Sequence, residues 1–221
     1  MHHESVVSVS RMRALDRYAI SAGVPGRVLM EVAGHGAFRE LSRVRPAGGT
    51  VTIITGKGNN AGDAFVVARY CAAGGIPCRV LAATPIDSLP ASDAHANAAL
   101  LRPFSVPVDT CEPEGLALRL GHSDLVVDGL LGTGLTGDVR APYDAVIAAI
   151  NECGRPVLAL DLPSGLCGDT GRVLGAAIRA EWTVTFGALK QGLLTGDGPS
   201  HAGEVTVVPL PFPPDSWTAT L

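Results

Sequence analysis

Charge is scarce in this chain: only 17% of its 221 residues are Asp, Glu, Lys or Arg, and the formal net charge is -4. Together with a hydrophobic share of 47%, that excludes a disordered chain and a coiled coil. No basic excess exists to attract nucleic acid or an anionic membrane, so neither is expected as a partner. The densest basic group, Arg39, Arg43 and Arg45, reads as a solvated helix end. No apolar run reaches the length of about 20 residues that spans a bilayer. Met1-His2-His3-Glu4 lacks the apolar core of a secretory signal. The cysteines Cys71, Cys78, Cys111, Cys153 and Cys167 are odd in number and never spaced as C-x-x-C, so neither a disulfide framework nor a zinc site is expected. Reduced thiols in a cytoplasmic protein fit that usage, with Cys167 either a loop filler or a reactive thiol. The histidines, His2, His3, His35, His95, His122 and His201, show no metal-ligand spacing.

What is present is a regular alternation. Residues 10–44 read as two helices broken at Gly23-Val24-Pro25, the first capped by Ser10 and buried through Met12, Leu15, Tyr18 and Ala19. Strands are predicted at 50–55, 78–83, 124–128, 156–161, 181–186 and 204–208, and helices at 62–74, 91–102, 113–120 and 141–152. The strand runs are short, β-branched and apolar without polar alternation, the pattern of parallel strands covered on both faces. The expected fold class is therefore α/β: a Rossmann-like three-layer αβα sandwich, a mostly parallel sheet with extra N-terminal helices. Residues 1–221 read as one domain, with its core over about 10–210 and a proline-rich, frayed tail at 211–221. Val28-Leu29-Met30 is an apolar cluster that either lies at a subunit contact or is buried within the chain.

Three strands end in polar residues. Val51–Ile54 runs into Thr55-Gly56-Lys57-Gly58-Asn59-Asn60-Ala61-Gly62-Asp63, Val126-Val127 into Asp128, and Ala159-Leu160 into Asp161-Leu162-Pro163-Ser164. In a parallel sheet all strand C-termini share one edge, and ligands bind there where strand order reverses. Asn59, Asn60, Asp63, Asp128, Asp161 and Ser164 are thus expected to converge. An Asp at a strand end also caps the next helix without any chemistry, but three such ends, two of them beside glycines, favour a site. Gly56-x-Gly58-x-x-Ala61 fits the dinucleotide fingerprint, yet the second strand ends in Thr84 without the required acid, which weakens a dehydrogenase reading. The same loop fails the P-loop pattern, and no serine sits in a G-x-S-x-G elbow. Asn60, Asp128 and Ser164 are hard oxygen donors with little total charge, which suits a monovalent cation. Asp161 is then left for proton transfer.

These segments resemble the YjeF N-terminal domain family, the NAD(P)HX epimerases. The resemblance runs through Met12-Arg13-Ala14-Leu15-Asp16, Leu29–Gly34, Gly58–Asp63, Val127–Leu135, Arg140-Ala141-Pro142-Tyr143, Asp161–Leu166, Val184–Ala188 and Gly203-Glu204-Val205. It implies an isomerase that interconverts the R and S forms of hydrated NADH and NADPH, commonly dimeric, with one bound K+ per subunit. By motif position Asn60, Asp128 and Ser164 match the potassium ligands. Asn59, Asn60, Ala61, Gly62 and Asp63, then Gly132, Thr133, Gly134, Leu135, Thr136, Gly137 and Asp138, with Tyr143 and Asp161, match the substrate-contact segments; Asp161 is the expected catalytic residue. No kinase-like dehydratase segment follows in these 221 residues, so ATP- or ADP-dependent repair is not expected. Ala61 and Ala64 stand where the family usually has glycine: their methyls either crowd a ligand, leaving a divergent cyclase or isomerase as the alternative, or are tolerated at a helix start. A non-catalytic binding or scaffold domain is the third reading.

Overall fold

The computed structural model describes residues 5–219; residues 1–4 and 220–221, His2 and His3 among them, lie outside the described residues. In chain order the elements are β1 (Val6–Val7), α1 (Val9–Ser21), α2 (Gly26–Val44), β2 (Val51–Thr55), α3 (Asn59–Ala73) and β3 (Cys78–Ala82). There follow α4 (Asp93–Ala99), β4 (Val108–Thr110), α5 (Leu116–Leu120), β5 (Leu125–Gly129), α6 (Tyr143–Glu152) and β6 (Val157–Leu160). The last are β7 (Trp182–Phe186), β8 (Leu189–Lys190), α7 (Gly198–Ala202) and β9 (Glu204–Val208).

The apolar runs form an all-parallel seven-stranded sheet of order β4-β3-β2-β5-β6-β7-β9. Side chains alternate between its faces. Ile53, Val127, Leu158 and Leu160 join α2, α3 and α4 in one apolar cluster, while Ile54, Val126, Val157 and Ala159 join α5 and α6 in another. These are the three layers the sequence predicts. From β2 the chain moves outward through β3 to β4, then returns to place β5 on the other side of β2. The reversal lies between β2 and β5, so their C-terminal ends splay apart and open the crevice. Gly56 sits at that point; a Cβ there would lie 2.1 Å from the Leu130 carbonyl oxygen, which only glycine permits.

Several boundaries differ from expectation. Ser8, not Ser10, caps α1, its hydroxyl accepting the Arg11 N–H at 3.1 Å. Helix α3 begins at Asn59, so Asn59–Gly62 forms its first turn, Asp63 opens its second, and the connecting loop is only Gly56–Gly58. Leu29 and Met30 are buried within the chain, while Val28 is exposed. The tail is docked: Phe212 and Ser216 are buried, and the Arg11 guanidinium donates to the carbonyls of Ser216, Trp217 and Ala219. Its proline spacing gives no hint of this anchor, because the arginine that holds it lies some 200 residues away in sequence. The strands β1 and β8 pair in parallel as a separate two-stranded ribbon, with Val7 opposite Lys190.

Candidate active site

At the splayed edge lies a cavity of about 880 Å³, within the range of small-molecule sites. One wall is the start of α3, whose unpaired N-terminal amides give that end a partial positive charge. Another is the loop 130–138 after β5, and a third is α1 with the start of α2. Asn59, Asn60, Asp63, Gly132, Thr133, Gly134, Leu135, Thr136, Gly137, Asp138 and Asp161 all line it. Gly132 brings the loop against α3: a Cβ on it would stand 3.2 Å from the Asn60 Cβ.

Three residues of the predicted substrate set fall elsewhere. Tyr143 packs with the cluster beneath α5 and α6 and shares a 3.0 Å hydrogen bond with Thr84. Ala61 is fully buried in the core, on the far side of the helix turn from the cavity, and Gly62 packs toward Met30 and Ala94. Ala64 is also wholly buried, its methyl beneath Gly129. Both alanine methyls therefore point into the core, and neither residue has a positive φ. They stand where the family usually has glycine without narrowing the cavity, and both lie within α3, where alanine is a good helix former.

Asp128, Ser164 and Asn60 come together just behind the wall. Asp128 is completely buried at the end of β5. Its carboxylate accepts the Leu130 N–H at 3.1 Å, the Ser164 N–H at 2.8 Å and the Ser164 hydroxyl at 2.6 Å. Burial still raises its pKa to about 6, because those donors only partly offset the lost hydration. The Ser164 Oγ in turn accepts the Leu131 N–H at 2.8 Å, and the Asn60 Nδ2 donates to the Leu131 carbonyl at 2.9 Å. The Asn60 Oδ1 is buried with no hydrogen-bond partner.

Asp161 occupies a strained corner. It follows β6 with φ 64°, the left-handed region, and the Leu162 N–H closes back on the Leu160 carbonyl at 2.8 Å. Such a corner costs about 1–3 kcal/mol and persists only where its surroundings enforce it. Here Lys190 enforces it. That side chain is 1% exposed, and its ammonium spends all three donors on Asp161 Oδ1 (2.6 Å), the Thr185 hydroxyl (3.0 Å) and the Phe186 carbonyl (2.6 Å).

Lys190, Asp16 and Arg13 line the same cavity and were not singled out from the sequence. The signal was available for Lys190 as a lone cation after the apolar run Phe186-Gly187-Ala188-Leu189. Asp16 had only its place in the motif Met12–Asp16, since an Asp one turn from Met12 otherwise reads as an exposed helix position. In the fold, burial and then the Asp161 charge push the Asp16 pKa up to about 6, against the opposing pull of Lys190 and Arg17. A raised carboxyl stabilises the fold fully only below its unfolded pKa of about 3.9 and loses that contribution as pH climbs through about 6. The Asp16→Asn variant is therefore expected to be more stable than wild type at pH 7, by up to about 3 kcal/mol, and no more stable at pH 4. Urea titrations at the two pH values check this.

Fold and site together define a doubly wound, Rossmann-like α/β protein with a charged ligand cavity at its topological switch point. The chain belongs to the YjeF N-terminal family: the family described as YjeF-related protein N-terminus matches residues 26–192. It is 36% identical to an NAD(P)H-hydrate epimerase of Limosilactobacillus fermentum, over 92% of this chain and 96% of that protein. It is 40% identical to a bifunctional NAD(P)H-hydrate repair enzyme Nnr of Salinibacter ruber, over 95% of this chain but 41% of that one. The chain thus spans about two fifths of the length of several curated relatives it matches. The crystal structure of yeast ynu0 has the same fold, with a TM-score of 0.77 at 22% identity over 92% of this chain and 87% of that one.

Proposed function

We propose that this chain is an NAD(P)H-hydrate epimerase, interconverting the R and S forms of hydrated NADH and NADPH. The observation that carries it is Asp161, a carboxylate held by a buried lysine at the switch-point edge of a cavity large enough for a nucleotide. Relatives that match nearly all of this chain bear that activity in their names. A scaffold has no need of a buried ion pair beside further buried carboxylates, which are costly to keep. The alternative of a divergent cyclase or isomerase rested on the two alanine methyls, and these face the core.

The substrate has a hydroxyl on the carbon next to the ring nitrogen. Loss of that hydroxyl, helped by the nitrogen lone pair, gives an iminium, and water returning on the other face completes inversion. A fixed carboxylate beside that carbon lowers the barrier in two ways: it stabilises the cation and it relays a proton. Asp161 has that role in this reading. The start of α3 and the loop 130–138 supply backbone donors for the diphosphate, with Lys57, Arg17 and Arg140 on the rim. The test follows loss of one epimer of hydrated NADPH while an S-specific dehydratase drains the other. No acceleration over the spontaneous rate removes the proposal.

The buried donor set also suits potassium. The unpartnered Asn60 Oδ1, the Ser164 hydroxyl and the Asp128 carboxylate are hard oxygens, and no cationic side chain among the described residues contacts Asp128. Potassium would supply the missing positive charge and tie α3 to the loops after β5 and β6. Potassium chloride at ten times its dissociation constant should raise the melting temperature by about 3–5 °C over lithium chloride of equal ionic strength. Asn60→Leu should lose that increment; an equal response in both salts would contradict the assignment. A homodimer, supported by the family resemblance, and a cytoplasmic setting, supported by five unpaired cysteines, complete the reading. Light scattering tests the first. No helix among the described residues is long and apolar enough to cross a membrane.

A further inference from the structure

Inversion at a fixed ring carbon has a stereochemical requirement. Oxygen leaves from one face and water adds to the other, so one rigid carboxylate cannot serve both events. The cavity holds a second buried carboxyl, Asp63, on the second turn of α3, 8% exposed. Among the described residues no hydrogen bond or ion pair reaches it. Lys190 cannot neutralise it, since all three ammonium donors are already used.

We propose that Asp63 is a second catalytic residue of this cavity, the carboxyl that exchanges a proton with oxygen on one face of the reacting carbon while Asp161 serves the other. The inference rests on the epimerase reading. In one direction the C–O bond breaks with its electron pair going to oxygen, and the Asp63 proton goes to that oxygen. The nitrogen lone pair forms the C=N bond, water departs, and Asp63 is left as a carboxylate. Water then adds to the opposite face, the C=N pair returns to nitrogen, and the surplus proton passes to Asp161. One proton moving from Asp161 to Asp63 through cavity water restores the starting state, and the reverse reaction exchanges the roles.

The surroundings set this division. Burial, then the charges of Asp161 and Asp16, hold the Asp63 carboxyl well above the usual carboxylate range, with Lys190 the opposing influence. Asp161 has the lysine to itself. Two carboxyls in such different surroundings, one ion-paired and one without a partner among the described residues, suit acid–base exchange across a carbon. The cavity's other charged groups are Arg13, Arg17 and Lys57 with Asp93, Asp138 and Arg140; each is exposed or partly exposed, unlike Asp63. On α2, Glu31 is engaged by Arg69 and Tyr70.

Asp63→Asn should lower kcat for hydrated NADPH by about 10²–10⁴-fold while KM stays within about twofold. Uptake of heavy oxygen from labelled water into the substrate hydroxyl should slow in parallel. Wild-type kcat should fall on the basic side as Asp63 loses its proton, and Asp63→Asn should lack that limb while Asp16→Asn keeps it. Turnover of Asp63→Asn within threefold of wild type, or loss of the limb in Asp16→Asn instead, would overturn the proposal. If Asp63→Asn does not fold, Asp63→Glu decides: a displaced basic limb supports the role, an unmoved one removes it. Wild-type protein inactive on hydrated NADPH would instead defeat the functional reading itself.

Discussion

Asp161→Asn is expected to slow epimerisation of hydrated NADPH by about 10³-fold or more, since it removes both a proton relay and the charge that stabilises the iminium. The backbone should survive. Asn is among the few residues that tolerate a positive φ, so the corner at φ 64° can still form. The Asn carbonyl oxygen can still accept from Lys190, whose other two donors remain on Thr185 and Phe186. Replacing a charged acceptor by a neutral one in this buried site should cost about 1–3 kcal/mol. In a chain of this size that lowers the melting temperature by roughly 2–12 °C, without loss of cooperativity. Epimer-resolved kinetics and a thermal melt check the two halves separately. Near-wild-type turnover would sink the role given to Asp161.

Lys190→Met should show the largest stability effect. It strips the cation from a buried pair and leaves Asp161 near the charges of Asp63 and Asp16, with no other ion-pair partner among the described residues. Breaking a buried pair from one side costs about 3–5 kcal/mol, because the remaining charge keeps its desolvation penalty. Asp161 also loses the contact that holds its carboxylate in place, so activity should fall with stability. The double variant Lys190→Met/Asp161→Asn tests the pairing. Removing both charges should restore much of the stability lost in Lys190→Met, while activity stays absent. Stability losses that simply add would show that Lys190 acts through packing alone.

The convergence of Asn60, Asp128, Asp161 and Ser164 was legible in the sequence from one rule, whereas the loop 132–138 was pointed to by motif resemblance. Polar residues at the C-terminal ends of parallel strands meet on one edge, and Asn60, Asp128, Asp161 and Ser164 obey it. Tyr143 lies outside the cavity lining because motif position says which segment approaches a ligand, not which way a side chain turns; its hydroxyl goes to Thr84. Ala61 fell just before the predicted helix 62–74 and Ala64 just inside it, because the glycine-rich run hides where helix begins. Once α3 starts at Asn59, the helical period sends both methyls to the core. Asp16 was hidden for a related reason: a lone Asp on an amphipathic helix reads as solvent-facing until another element covers it.

The sequence by itself determined the alternating α/β plan, the parallel sheet and the edge where polar strand ends gather. Those features rest on local periodicity and turn chemistry, which neighbouring residues carry. Only the tertiary structure decided the charge balance of the cavity. Lys190 reaches Asp161 because β8 pairs with β1, and Asp16 meets both because β1 leads directly into α1. Protonation at such a site depends on burial and on charges brought from distant parts of the chain, and neither is written in the spacing of residues.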